Sequence, residues 1–594
     1  MKKMKNIKYI AILLTVLLTT ACINKSDNQT QNNDQNSFVS TEWIAINSQP
    51  ALNIDRYLTA MEVLGFSGAI VVSDSDEVVL SKGYGYANRE KRQPYTPQTV
   101  QSSGSITKQF TGAAILLLES RGVLSVNDTI SKYFDQFSEE MQNITIHQLL
   151  THSSGMPGGI GADEEAIGEP AYLDRLVAES LQSNPGSEYA YSNTGYSLLA
   201  MIIEQVTGQS YEKFLREELL LPAGMKYTGY ILPDWDLDEL AIGYRNGEHW
   251  GIVYERGWID DGPNWHLRGN GGIHTTVRDM AKWFKTVQGL GVLGEDVVER
   301  WTTGYVTENG GVSNYGYGWS VYDHDRWGKV ITHSGSNRIF EADFVWLPEK
   351  DLFFYIHGNS SMVSAANQSG NILAAVFDST FVMPPLVEPD TSAKHDIAQQ
   401  REGVYYLNES SLELTADDAR LMAKLWGQTV FDKMFKHDDE QIKWFTELNR
   451  RTTDVMNKLK AGQDDALADL MRQGEDPIEP TSAILKRISQ IGNLDSLHVI
   501  GTFVNNPDSR FSEYGPWTTF IYAEFANWNQ YWNFVWNDDG TFQGEYSGPW
   551  PSFTLIPTDN DSYTGVRQDG NWETVELEIR GDCIILMESK ACKE

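Results

Sequence analysis

Apolar residues recur at helical spacing from Asn53 to Leu64, and then the period changes. Phe66–Val72 and Val78–Ser81 flank the polar stretch Ser73–Glu77, a pattern that predicts a β-hairpin. Helical spacing returns over Ile106–Ser120, Ile146–Leu150, Ser197–Val206 and Tyr211–Leu220. Strand-like runs reappear far downstream, at Tyr317–Tyr322, Lys329–His333, Ala342–Leu347 and Leu352–His357, and Asn371–Phe377 predicts a closing helix. Strands at both ends with helices between them predict an α+β fold. Its core is one antiparallel sheet flanked by helices, with a helical insertion.

The proline-rich run Met383-Pro-Pro-Leu-Val-Glu-Pro-Asp390 marks a boundary. Beyond it, strand-like pieces fill Gly403 to Leu448, and helices are expected over Thr452–Met471 and Thr481–Ile491. From Leu497 the pattern is strand-like, with a turn signal at Asn537-Asp-Asp-Gly540. Residues 41–383 are therefore expected to form one domain, 384–398 a linker, and 399–594 a C-terminal α+β accessory domain. Trp517, Trp528, Trp532, Trp536, Trp550 and Trp572 crowd that last region. Aromatic residues suit strands, so these are read as the core of a small sheet ahead of a glycan platform.

The first residues read as an address. Lys2, Lys3, Lys5 and Lys8 precede the apolar run Ile10–Leu18, which falls short of the about 20 residues that span a bilayer. Thr19-Thr20-Ala21-Cys22 resembles a bacterial lipoprotein cleavage site, although Thr19 stands where Leu is usual. The expectation is a signal peptide over 1–22, lipidation of Cys22, a polar tether over 23–40, and an exported protein anchored to a bacterial membrane through lipid. Cys583 and Cys592 can pair in an oxidising compartment.

Composition narrows the chemistry. A formal charge of −34 over 594 residues repels phosphate backbones, so nucleic acid is not an expected partner. No His-Glu-x-x-His motif occurs, and three cysteines, one of them in the signal, cannot build a zinc site alone. No metal or cofactor is expected. No Gly-x-Ser-x-Gly elbow or phosphate-binding loop occurs either, and Gly289–Gly294 follows a helix-like stretch and reads as a loop.

Three short fragments carry the candidate chemistry. Ser105-Ile-Thr-Lys108 opens a helix that is apolar almost all round. Burial of that helix puts a hydroxyl and an amine on one face, one turn apart. The second match, Ser210-Tyr-Glu-Lys213, reads as a helix cap. Tyr191-Ser-Asn193 sits in a loop feeding an apolar helix, whereas Tyr244-Arg-Asn246 reads as a surface turn. His333-Ser-Gly335, followed by Ser336, lies on or beside a strand; the competing His249-Trp-Gly251 lacks an obvious one. The bland readings are a turn for Gly269–Gly272 and a structural role for His147 and His152.

In this order and context the fragments resemble the serine β-lactamase and penicillin-binding protein superfamily, with wording nearest its class C β-lactamase-like branch. Ser103-Gly-Ser-Ile-Thr-Lys-Gln-Phe110 and Ile146-His-Gln-Leu-Leu-Thr-His-Ser-Ser-Gly-Met-Pro157 add to the likeness, which covers residues 50 to 380. The resemblance implies an acyl-enzyme on Ser105. Lys108 and Tyr191 handle protons, Asn193 binds Lys108 and substrate, and the backbone N–H groups of Ser105 and Ser336 meet the oxyanion. His333 and Gly335 line the pocket. The third motif departs from the Lys-Thr-Gly of β-lactamases, so amide or ester hydrolysis of a small peptide, an ester or a cell-wall fragment is expected ahead of β-lactam cleavage. The alternatives are a class C-like β-lactamase, a DD-carboxypeptidase, or a non-catalytic cell-wall ligand sensor.

Overall fold

The computed structural model describes residues 44–45, 48–75, 77–390, 392–474, 476–491, 494–505, 515–525, 529–547, 552–567, 572–586 and 589–593. The expected signal over 1–22 with Cys22, the expected tether over 23–40, and Trp528 and Trp550 lie outside the described residues.

An antiparallel sheet forms the base of the first half. Its strands are β1 (Ile44–Ala45), β2 (Gly68–Asp74), β3 (Glu77–Tyr84), β4 (Val306–Thr307), β5 (Asn314–Tyr315), β6 (Ser320–His324), β7 (Gly328–Ser336), β8 (Glu341–Leu347) and β9 (Leu352–Gly358). They lie in the order β1-β3-β2-β9-β8-β7-β6-β5-β4, so the N-terminal hairpin pairs with the late strands, as the pattern predicts. Both faces of the middle strands are apolar, and both are covered. On one side lie α1 (Gln49–Val63) and α7 (Ser369–Phe377). On the other stands the helical insertion, containing α2 (Thr107–Ser120), α3 (Ile146–Leu150), α4 (Asn193–Thr207), α5 (Tyr211–Leu215) and α6 (Val277–Val287). Residues Thr107–Leu118 of α2 are all buried, which is what its apolar circumference demands.

The C-terminal half is α+β and holds a closed eight-stranded barrel. The barrel is built from β10 (Gly403–Leu407), β11 (Ser410–Asp417), β12 (Arg420–Trp426) and five strands between Ser552 and Lys593. Cys583 and Cys592 face each other across its last hairpin and are joined in a disulfide. Between the two parts of the barrel run α8 (Gln428–Met434), α9 (Asp439–Lys460), α10 (Ile478–Ile491) and a four-stranded sheet over Leu494–Ser547. Trp532, Trp536 and Trp572 are buried core residues.

Two expectations are corrected. The strand-like reading of Gly403–Leu448 holds only to Trp426, because α8 and α9 occupy Gln428–Lys460. Asp438 and Gln441 cap α9 reciprocally, and Phe445, Leu448, Thr452, Val455, Met456 and Leu459 form its buried stripe. The expected helix over Thr452–Met471 therefore begins earlier and stops at Lys460, where Gly462 turns the chain with φ +71°. The Tyr244-Arg-Asn246 segment is also no surface turn at its first residue. Tyr244 is buried in a short strand, and only Asn246-Gly247 turns.

The two halves share a core: Ile556, Val566 and Trp572 of the barrel join Tyr57, Leu64 and Phe66. Beside it, Asp417 is fully buried and receives Arg89 Nη1 at 2.5 Å and Arg420 Nη2 at 3.2 Å. The two guanidiniums hold its carboxyl below the usual range against the opposing effect of burial. Removing one partner of such a group leaves buried charge unmatched, at about 3–5 kcal/mol. Asp417→Ala is expected to lower the thermal unfolding midpoint by several degrees. Because the folded pKa is depressed, the wild-type contribution is full above pH ~4 and fades as pH falls through the folded value, so the two proteins should converge in acid. Equal midpoints at neutral pH would contradict the assignment.

Candidate active site

The insertion meets the sheet where α2 begins. Residues Gly104–Ile106 form a 3₁₀ turn that runs straight into α2, and Thr107 Oγ1 donates to the Gly104 carbonyl at 2.7 Å. That turn lies flush against the end of β7, which two glycines permit. Gly104 has φ +52°, and a Cβ on it would lie 2.5 Å from Ser336 N. A Cβ on Gly335 would lie 1.9 Å from the Ser103 carbonyl oxygen and 3.0 Å from Ser105 N. The backbone segments that carry the Ser105 and Ser336 nitrogens are thus in close contact, as an oxyanion site requires.

Lys108 follows Ser105 by one turn and is fully buried. Its Nζ lies 2.8 Å from Asn193 Oδ1, 2.8 Å from the Asn270 carbonyl oxygen and 3.2 Å from Ser105 Oγ. The first two partners can only accept. A neutral amine has two N–H donors for them and one lone pair left, directed at the serine hydroxyl. Burial drives the Lys108 pKa well below that of a free lysine, with Asp163 opposing.

Tyr191 enters from the loop before α4. Ser192 caps that helix by accepting from Gly195 N, and Asn193 is its first residue. Ser192 Oγ and Thr194 Oγ1 both donate to the Pro157 carbonyl, and Asn193 N donates to that of Gly158, so the loop is tied to the end of the Ile146–Pro157 segment. Tyr191 forms a cleft wall, 37% exposed as a whole residue, while its phenol end lies toward the Ser105 side chain, where desolvation raises its pKa. Lys108 Nζ stands 4.7 Å from its ring centroid.

His333 is buried on β7, its ring 6.5 Å from that of Tyr191. Nδ1 donates to the Ser334 carbonyl at 2.6 Å, and Nε2 accepts from the Tyr315 hydroxyl at 2.8 Å. Burial and the neighbouring Lys108 push its pKa down to about 3, so the ring is neutral at pH 7. With both nitrogens engaged, His333 buttresses the cleft and presents no free nitrogen to it.

The structure therefore gathers Ser105, Lys108, Tyr191, Asn193, Gly335 and Ser336 around one hydroxyl, with His333 behind them. Of the competing matches, Ser210 caps α5 by accepting from Lys213 N. His249 does lie on a short strand, Glu248–Gly251, but it is exposed and bonded to Glu90. Sequence reasoning missed Asn270. The Gly269–Gly272 turn does have positive φ at both end glycines, yet it also lies along α2, where Thr111 Oγ1 donates to Gly269 O and Lys108 to Asn270 O. Backbone carbonyls leave no mark in residue identity. The Asn270 side chain, which donates to Ser197 Oγ and to the His266 carbonyl, was the available signal.

The family profile named Beta-lactamase matches residues 59–377, which is more than half of the chain. The chain belongs to the Beta-lactamase family. Its matching part contains all three motifs of the site. Among curated relatives, Penicillin-binding protein 4* of Bacillus subtilis (strain 168) is 28% identical over 299 residues, 47% of this chain and 65% of that protein. Protein flp of Staphylococcus aureus (strain MW2) is 35% identical over 226 residues, 36% of this chain and 44% of that protein. The match thus spans less than two thirds of either relative. Among solved structures, the octameric penicillin-binding protein homologue from Pyrococcus abyssi aligns with a TM-score of 0.47 at 20% identity, covering 91% of this chain and 99% of that one. The penicillin-binding protein from Bacillus halodurans aligns with a TM-score of 0.45 at 25% identity, covering 54% and 98%.

The glycine contact gives a direct test. Gly335→Ala must push β7 away from Ser105, and the rate of fluorophosphonate labelling at Ser105 is expected to fall by about a hundredfold or more, the scale of losing one oxyanion donor. Gly294→Ala, where φ is −72° and a Cβ meets nothing within 4 Å, should leave the rate unchanged. Equal rates in the two variants would refute the packing argument.

Proposed function

We propose that the protein is an exported serine hydrolase that forms an acyl-enzyme on Ser105 and cleaves an amide or ester bond. The arrangement of Lys108 Nζ carries this reading, with two acceptors taking its N–H groups and the Ser105 hydroxyl 3.2 Å away. Neutral Lys108 takes the proton as Ser105 Oγ attacks the substrate carbonyl. The oxyanion is received by the N–H groups of Ser105 and Ser336. The Tyr191 hydroxyl, kept protonated by its raised pKa, supplies the proton to the leaving group; in deacylation the attacking water gives its proton to Tyr191 and Lys108 returns its proton to Ser105 Oγ as the ester breaks. Family membership supports serine acyl transfer.

The third motif bears on the substrate. A lysine there would hold a carboxylate through a charge-assisted contact of roughly 1.5–3 kcal/mol. His333 is neutral and fully hydrogen-bonded, which favours peptides or esters over anionic β-lactams. Export and a lipid anchor at Cys22 rest on the pattern of residues 1–22, and none of the described helices is long and apolar enough to cross a membrane.

A fluorophosphonate should label the wild type and leave Ser105→Ala unlabelled. The wild type should turn over p-nitrophenyl esters or D-amino acid p-nitroanilides faster than it hydrolyses a chromogenic cephalosporin. Acylation should speed up with rising pH, because deprotonation creates the Lys108 base, and its midpoint should lie below the ~10.4 of a free lysine. A permanent adduct without turnover would favour a ligand sensor, and absence of label would refute the nucleophile.

A further inference from the structure

We propose that His152 is a positioning residue that fixes the Tyr191 phenol over Ser105, acting through the backbone on both sides of that tyrosine. The inference rests on the acyl-transfer reading above. It assigns a specific task to a residue whose sequence context suggested only a structural one.

His152 follows α3 in the left-handed region, φ +55°, a conformation rare for a residue with a Cβ. Its backbone is fixed there by His152 N and Ser153 N, which donate to Leu149 O and Gln148 O. From this position it holds both neighbours of Tyr191. The His152 carbonyl accepts from Ala190 N at 2.7 Å, and its Nδ1 accepts from Ser192 N at 3.0 Å. The imidazole also lies against the tyrosine itself, with ring centroids 4.1 Å apart at an angle of 39°. Two hydrogen bonds and one ring contact thus set the path of three consecutive residues.

The imidazole has no room to turn. Tyr315 and Tyr196 close its other sides at 4.5 and 5.1 Å, and each is anchored: Tyr315 OH donates to His333 Nε2, and Tyr196 OH donates to the Leu150 carbonyl. With Nδ1 accepting, the neutral ring carries its proton on Nε2, which is buried and finds no hydrogen-bond partner among the described residues. A proton relay would need a partner at that nitrogen. His152 therefore acts through position. Burial, Lys108 and His333 all disfavour the imidazolium, which keeps Nδ1 available as an acceptor.

The test uses the full chain with two substitutions. In His152→Asn, Oδ1 stands as many bonds from Cα as Nδ1 does, and Asn tolerates positive φ. In His152→Gly the backbone conformation is equally tolerated, while acceptor and ring are lost. Fluorophosphonate labelling of Ser105 is measured for each, alone and combined with Tyr191→Phe. Thermal unfolding is followed in parallel. The glycine variant is expected to label about ten- to a hundredfold more slowly, the scale of a small misplacement. The asparagine variant should recover most of the rate, and the glycine change should add little once Tyr191 is Phe. Multiplicative effects of the two changes would overturn the proposal. So would an asparagine variant as slow as Tyr191→Phe, whatever the glycine variant does. A ¹⁹F resonance from 3-fluorotyrosine at position 191 reads the ring independently of activity. It should shift and broaden in the glycine variant and return with asparagine. An unchanged line in the glycine variant overturns the positioning role, whereas an unlabelled wild type overturns only the acyl-transfer reading.

Discussion

The site depends on one buried amine. Lys108 sits in the interior with no carboxylate bonded to it, held by Asn193 Oδ1, the Asn270 carbonyl and Ser105 Oγ. An ammonium in such a place bears a desolvation penalty that neutral acceptors only partly offset. Releasing the proton removes that penalty and leaves a lone pair facing the serine hydroxyl. The same burial that makes α2 a core helix thus makes its lysine a base. Packing and reactivity have one cause here: burial of the amine beside the nucleophile outweighs the opposing charge of Asp163.

Holding that geometry takes five separate stretches of chain, and backbone atoms do most of the work. Gly104 and Gly335 let the α2 entry and the end of β7 touch, which keeps the segments bearing two N–H groups together. The Gly269–Gly272 turn delivers a carbonyl to Lys108. The Pro157 and Gly158 carbonyls and His152 fix the loop that carries Tyr191. Neutral histidines then fill the space behind the cleft. His333 and His152 both lie near Lys108 and are both kept uncharged, which preserves their accepting nitrogens and adds no positive charge beside the lysine. The barrel half packs against the sheet domain through a shared apolar core and the Arg89–Asp417 pair.

Much of this was legible in the sequence, for physical reasons that differ by element. The sheet and the insertion could be read because their strands and helices have clean periods and α2 is apolar all round. The site could be read as far as it consists of side chains: Ser105, Lys108, Tyr191 and Asn193 carry chemistry that few other residue types can supply. What stayed hidden was of two kinds. Helix α9 is polar over most of its surface, so its buried stripe is thin against the charge around it, and the aromatic positions Trp444 and Phe445 imitate a strand. Asn270 acts through a carbonyl on the Lys108 amine 162 positions away, and His152 through a ring nitrogen on a backbone N–H 40 positions away. Only the folded arrangement reveals such partners. The Cys583–Cys592 pair lay between these cases, because sequence offered the pairing and the barrel hairpin brings it about.

The most direct measurement is the protonation state of the lysine itself. In Ser105→Ala, with ¹³C placed at the lysine ε carbons, the Lys108 resonance can be followed by NMR as pH is raised. The account predicts a titration midpoint well below the ~10.4 of a free lysine, with the upfield-to-downfield change complete before the surface lysines begin theirs. A Lys108 resonance that titrates together with the surface lysines, or above them, would contradict the account.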